Sequence, residues 1–121
     1  MSEAEAADSL AGLTHALRAF ARERDWEQFH SPKNLAMALV VEAAEIVEHF
    51  QWLDGSASSQ LPEERRRAVA LEIGDTLLYL LRLADVLGID PIVAARRKMA
   101  INAERYPIAK AFGSAAKYDE L

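Results

Sequence analysis

The chain has 121 residues, 51% of them hydrophobic, with five Gly, four Pro and no Cys, which excludes a disordered or fibrous protein and bounds the reading to one globular domain, 1–121. The lack of Cys excludes a disulfide framework and a thiol nucleophile. With no apolar run of bilayer length and no charged-then-apolar leader to be read, a reducing, cytoplasmic setting is expected. A net charge of -5 counts against a nucleic-acid polymer as partner, because that affinity comes mainly from Lys and Arg neutralising phosphates; an acidic protein that handles phosphates needs a cation between them.

In chain order, apolar periodicity with start and stop signals predicts helices over roughly 3–24, 33–53, 62–87 and 91–105, with no sustained two-residue alternation. The expected fold class is therefore all-α, a four-helix bundle-like domain. Ser31 and Pro32 form an N-cap and N1 pair, Pro62 leads Glu63 and Glu64 into a first turn, Gly88 suits a C′ position, and Asp90-Pro91 opens the last helix. The polar stretch 54–60 is a short turn, so the second and third helices should form an antiparallel hairpin. The segment 107–121 has weak periodicity and reads as an extended tail.

On the second helix Leu35, Leu39, Ile46, Phe50 and Leu53 form one stripe and Val40 and Val47 another. The third is apolar over most of its circumference, through Leu71, Ile73, Leu77, Leu78, Leu80, Leu81, Leu83 and Leu87. So small a bundle buries too little surface alone, and a homo-oligomer, dimer or tetramer, is expected to cover the remaining faces.

Four acids interrupt this apolar background: Glu42 and Glu45 on the second helix, Glu72 and Asp75 on the third. A spacing of three puts each pair on one helix face. Counted from the turn, the two pairs stand at matching heights, so antiparallel packing sets them face to face. Burying several carboxylates without partners costs several kcal/mol per ion, and no Lys or Arg occurs between Asn34 and Glu64. A cation is the relief, and an all-oxygen ligand set suits Mg²⁺ or Mn²⁺ rather than Zn²⁺. A di-iron site calls for Glu-x-x-His on two helices; here His49 follows Glu45 by four residues and the third helix has no His. Acids at this spacing on one isolated helix are more often a solvated face, and the pairing of two such sets is what favours metal.

The strings Glu42-Ala43-Ala44-Glu45 and Glu72-Ile73-Gly74-Asp75, with 24–30 (RDWEQFH), Phe50-Gln51-Trp52, 98–102 (KMAIN), Arg105-Tyr106-Pro107 and Lys117-Tyr118, resemble the MazG-like all-α nucleotide pyrophosphohydrolases, nearest their dCTP-cleaving branch. The resemblance runs from about Leu13 over nearly the whole chain. It implies Mg²⁺-dependent hydrolysis of dCTP or a related pyrimidine deoxynucleoside triphosphate to the monophosphate and pyrophosphate, clearing the nucleotide pool. It implies Glu42, Glu45, Glu72 and Asp75 as metal ligands; Glu45 is chosen as the general base, and Glu48, one turn further, turns toward solvent by helix geometry.

By the same resemblance, Trp26 and Trp52 sandwich the base, Tyr79 lines the site, and Glu27, Gln28, Phe29 and His30 approach the base edge. Stacking on aromatic faces is worth roughly 1–3 kcal/mol per base. Lys98 and Asn102 follow at i, i+4 and are implied as substrate ligands; Arg105 continues their face, and neither it nor His49 is given a role. Trp52 lies near the turn end of the hairpin and Tyr79 toward the other end, so one hairpin does not set both beside one base: either one acts nearer the phosphates or a second chain contributes, which favours an oligomer. The family pattern has a His nine residues before Trp26, where this chain has Leu17. A different noncanonical nucleotide as substrate, and a non-catalytic helical assembly protein, stay open as alternatives.

Overall fold

The computed structural model describes residues 7–121, and among these there are helices and no strands. The helices are α1 Leu10–Glu23, α2 Pro32–Glu48, α3 Gly55–Ser58, α4 Glu63–Val86, α5 Pro91–Arg105 and α6 Ile108–Ala111, with 3₁₀ turns at Glu27–Phe29 and Tyr118–Glu120. None is long and apolar enough to cross a membrane. The contacts divide the chain into two units, one ending at Gly88 and one covering Ile89–Leu121.

The caps set the helix starts. Ser9 accepts from the Gly12 N–H, Ser31 from Asn34, and Asp90 from Ile92 and Val93, each satisfying donors that a first turn leaves orphaned. The helix described there begins at Leu10, and positions 3–6 of the expected helix lie outside the described residues. Gly88 stops α4 at φ 69°, the left-handed region that a Cβ disfavours.

Two boundaries differ from expectation. The second helix ends at Glu48, not 53, because the N–H groups of His49 and Phe50 turn back to carbonyls three residues earlier, at Ile46 and Val47; these tighter turns end the α-helix although the apolar spacing runs on. Within the expected turn at 54–60, Asp54 accepts from the Ala57 N–H at 2.7 Å and caps the four-residue α3.

In the first unit α4 packs on α2, and α1 packs on α4. Among the described residues the buried apolar ones are few: Ala21 from α1, Leu35 from α2, and Val69 and Leu81 from α4. Leu81 is only 1% exposed, so Leu81→Ala is expected to cost about 2–5 kcal/mol through lost transfer energy and the cavity left behind. The shift of the urea midpoint measures it, and a loss under about 1 kcal/mol would mean that this site collapses or is open in solution. Elsewhere the helices leave apolar faces uncovered, with Val40, Val41 and Val47 of α2 and Leu71 and Ile73 of α4 all more than half exposed.

The second unit holds α5, α6 and the segment expected as an extended tail, which is in fact partly helical. The Tyr106 and Tyr118 rings meet edge to face at 6.2 Å, and the Arg105 guanidinium lies 4.7 Å from the centre of the Tyr118 ring.

Candidate functional site

The pairing of α2 with α4 brings three of the four acids together. Glu42, Glu45 and Glu72 each offer a carboxylate oxygen, and these oxygens lie within 4.8 Å of one another. All three residues are half-buried, and Oε2 of Glu42 and Oε2 of Glu72 are enclosed with no hydrogen-bond partner. Buried acceptors without donors are expensive, and like charges this close resist ionising together. The Glu72 carboxyl is pushed up to about 7, first because it can share a proton with Glu45, then by desolvation and by the charges of Glu45, Glu42 and Asp75. Burial raises Glu42 too, reinforced by Glu45 and Asp75. A hard divalent cation among these oxygens supplies the missing counter-charge, so the donor set fits a metal.

Asp75, one turn beyond Glu72, is exposed and stands outside this trio, though its charge reaches both Glu42 and Glu72. It lines a hollow of about 270 Å³ whose walls also include Leu17, Trp26, His30, Tyr79 and Arg82. This chain therefore sets an acid cluster beside an aromatic-walled hollow within its first unit, with Asp75 lining the hollow and reaching the cluster through its charge.

The local backbone explains how Trp26 gets there. Past the end of α1 the Asp25 N–H bonds the Arg22 carbonyl at 3.1 Å and the Trp26 N–H bonds the Ala21 carbonyl at 2.9 Å, the paired bonds of a Schellman motif. Asp25 takes the left-handed position at φ 54°, which a short polar side chain tolerates. Trp26 is thereby turned back onto Phe20, ring edge to face at 5.8 Å.

Of the stretch expected to approach a ligand, Trp26 and His30 reach the hollow's wall. Glu27 instead lies 3.5 Å from Arg22, Gln28 donates its side-chain amide to Asp25, and the Phe29 ring is 59% exposed. Trp52, 88% exposed, lines a separate groove with His49, Leu53, Pro62 and Arg65; within one chain the two Trp do not face a common space, since Trp52 sits beyond the end of α2 on the connection to α3. Tyr79 lines the hollow with Asp75. Lys98 and Asn102 lie on α5 in the second unit, Lys98 exposed and Asn102 half-buried.

Sequence reading missed a polar network at the hollow's wall. Arg82 is only 8% exposed; its Nε donates to His30 Nδ1 at 3.0 Å and its Nη1 to Asp85 at 3.2 Å. Arg18 clasps the same Asp85 through Nε at 2.9 Å and Nη2 at 2.6 Å, a bidentate charge-assisted pair. The Arg18 bond, aided by the positive charges around it, holds the Asp85 carboxyl below its usual range against the pull of burial. Burial pushes His30 down and the Arg82 charge adds to it, against a weaker pull upward from Glu27. The signal was present: Arg82 follows Asp75 by seven residues on one helix face, a cation within the apolar stretch 77–84.

The sequence matches the model of the MazG-like family over residues 37–121. It is 48% identical over 104 residues to dCTP pyrophosphatase 1 of Homo sapiens and 44% identical over 104 residues to that of Mus musculus, in each case over 84% of this chain and 61% of the relative. The chain thus spans about three fifths of the length of these curated relatives. Among solved structures, a pyrophosphatase from Archaeoglobus fulgidus superposes with a TM-score of 0.76 at 43% identity, covering 79% of this chain and 90% of that one.

Proposed function

This chain belongs to the MazG-like family, and from that premise we propose that it hydrolyses dCTP or a related pyrimidine deoxynucleoside triphosphate to the monophosphate and pyrophosphate, with Mg²⁺. The observation that carries the reading is the trio Glu42, Glu45 and Glu72, with two enclosed and unpartnered oxygens, beside a hollow walled by Trp26 and Tyr79. The relatives named as dCTP pyrophosphatases support the choice of substrate. The family match spans the junction at Gly88, which supports reading 1–121 as one MazG-like domain.

In this reading Glu42, Glu45, Glu72 and Asp75 hold Mg²⁺, for which Mn²⁺ can substitute by its similar preference for oxygen. When bound, the metal supplies charge stabilisation at phosphate oxygens. Glu45 is the general base: water attacks the α-phosphorus, its proton passes to Glu45, and the bond to the α–β bridging oxygen breaks to release pyrophosphate. Trp26 and Tyr79 hold the base in the hollow, and His30 reads its edge. Glu27, Gln28 and Phe29 frame that approach, while Lys98 and Asn102 meet the phosphates or sugar.

Trp52 serves the base from a second copy, in a homo-oligomer for which the uncovered faces at Val40, Val47 and Leu71 are the supporting observation. The enzyme acts in the cytoplasm on free nucleotides, as nucleotide-pool sanitation.

The test is pyrophosphate release from a panel of nucleoside triphosphates, with Mg²⁺ and with EDTA, identifying the nucleotide product by chromatography. The expected result is metal-dependent conversion of dCTP to dCMP and pyrophosphate. Orthophosphate as product would overturn the cleavage position, preference for another nucleotide would overturn the substrate, and no turnover of any nucleotide would overturn the enzyme.

A further inference from the structure

Arg82 is a permanent cation with N–H donors and no acceptor. Its Nε approaches Nδ1 of His30 at 3.0 Å, so Nδ1 must present a lone pair, and in the neutral ring the proton then resides on Nε2. Burial and the Arg82 charge both disfavour a second proton on the ring. Arg82 in turn has little freedom to move. It is enclosed, its Nη1 is tied to Asp85, and Asp85 is clasped from the other side by both ends of the Arg18 fork. A histidine without such a partner exchanges its two tautomers and serves as donor or acceptor on demand; this one is held as a donor only at its free nitrogen.

On the base edge that His30 is proposed to read, the pyrimidines differ. Cytosine presents a lone pair at ring position 3, whereas uracil and thymine present an N–H there. A fixed donor meets the first and opposes the second, and unpaired or opposed polar groups in a closed site are what give such sites their selectivity.

Resting on the proposed reaction, we infer that Arg82 is a specificity-setting positioning residue: it locks His30 as an Nε2–H donor and so favours cytosine-type over uracil- and thymine-type triphosphates. The Arg18–Asp85 pair is the anchor that keeps this lock in place. None of these residues belongs to the acid cluster, so base choice and metal binding are separable.

Two measurements test this. Long-range ¹H–¹⁵N correlation of the imidazoles in the wild-type protein, without nucleotide, is expected to give the Nε2–H pattern for His30 near neutral pH, and Arg82→Met to give a mixture of tautomers. An Nδ1–H pattern in the wild type, or an unchanged pattern in Arg82→Met, overturns the lock. In kinetics, Arg82→Met is expected to lower the ratio of kcat/KM for dCTP to that for dUTP by about tenfold, the worth of one neutral hydrogen bond, with Arg82→Lys restoring part of it. A purely structural residue would depress both substrates equally, and that outcome overturns the selectivity role. Turnover of neither triphosphate by the wild type removes the proposed reaction and the selectivity with it, and the wild-type tautomer spectrum distinguishes that failure from a failed lock.

Discussion

Glu45→Gln is expected to reduce pyrophosphate release by about 10³-fold or more, because in the proposed mechanism one substitution removes both a metal-ligand charge and the proton acceptor for the attacking water. Asp75→Asn should also abolish turnover, through loss of a charge that faces both the acid cluster and the hollow. Both changes are nearly isosteric and neither touches Leu35 or Leu81, the most enclosed side chains of the core, so far-UV circular dichroism should match the wild type. Loss of activity with the helices intact assigns the effect to chemistry. Near-normal turnover in either variant would remove that residue from the metal site.

The same cluster makes thermal stability depend on pH and metal in a defined direction. In the folded protein Glu72 is raised from its ordinary 4.5 to about 7, and Glu42 is raised as well, so between those values the folded chain holds protons that the unfolded chain has released. Stability from this source is complete below the ordinary carboxyl value and is lost as pH rises through about 7. Asp85 has the opposite sign, its contribution present at neutral pH and lost only as pH falls through its depressed folded value, so it does not hide the alkaline loss. In EDTA the Tm is therefore expected to fall between about pH 5 and 8.

By the proposed function Mg²⁺ should bind the ionised cluster and reverse that fall, by roughly 10 °C at a hundredfold excess over Kd. Glu72→Gln should separate the two effects. Without metal it is expected to raise the Tm at pH 8, because one of the crowded charges is gone, and it should lose most of the Mg²⁺-induced rise. Differential scanning fluorimetry across pH reads all of this. A wild-type Tm that is flat with pH in EDTA, or a Mg²⁺ response that Glu72→Gln retains in full, would argue against a metal held by these acids.

Where sequence and structure part, a physical reason can be named. The apolar stripe of the second helix continues through Phe50 and Leu53, yet hydrogen-bond spacing had already tightened after Glu48; side-chain periodicity does not report which carbonyl an N–H selects. Residues 107–121 were expected to be extended, but a short helix and a 3₁₀ turn formed there, with Tyr106 and Tyr118 in ring contact. Trp26 carried no legible signal for its orientation, since the Schellman turn that directs it has Asp25 where Gly is usual.

What the sequence determined by itself was local. Side chains three residues away capped the helices at Ser31 and Asp90, Gly88 stopped α4 through its own φ, and a spacing of three put Glu42 beside Glu45 and Glu72 beside Asp75 on their helix faces. Only the tertiary structure decided which acids share an enclosed cluster, which aromatics line one hollow, and that Arg82 finds His30 across 52 residues while Arg18 finds Asp85 across 67. No periodicity relates such distant positions. They meet because burying the apolar faces of α1, α2 and α4 fixes how those helices lie against each other, and the polar groups carried along must then pair with whatever that packing sets beside them.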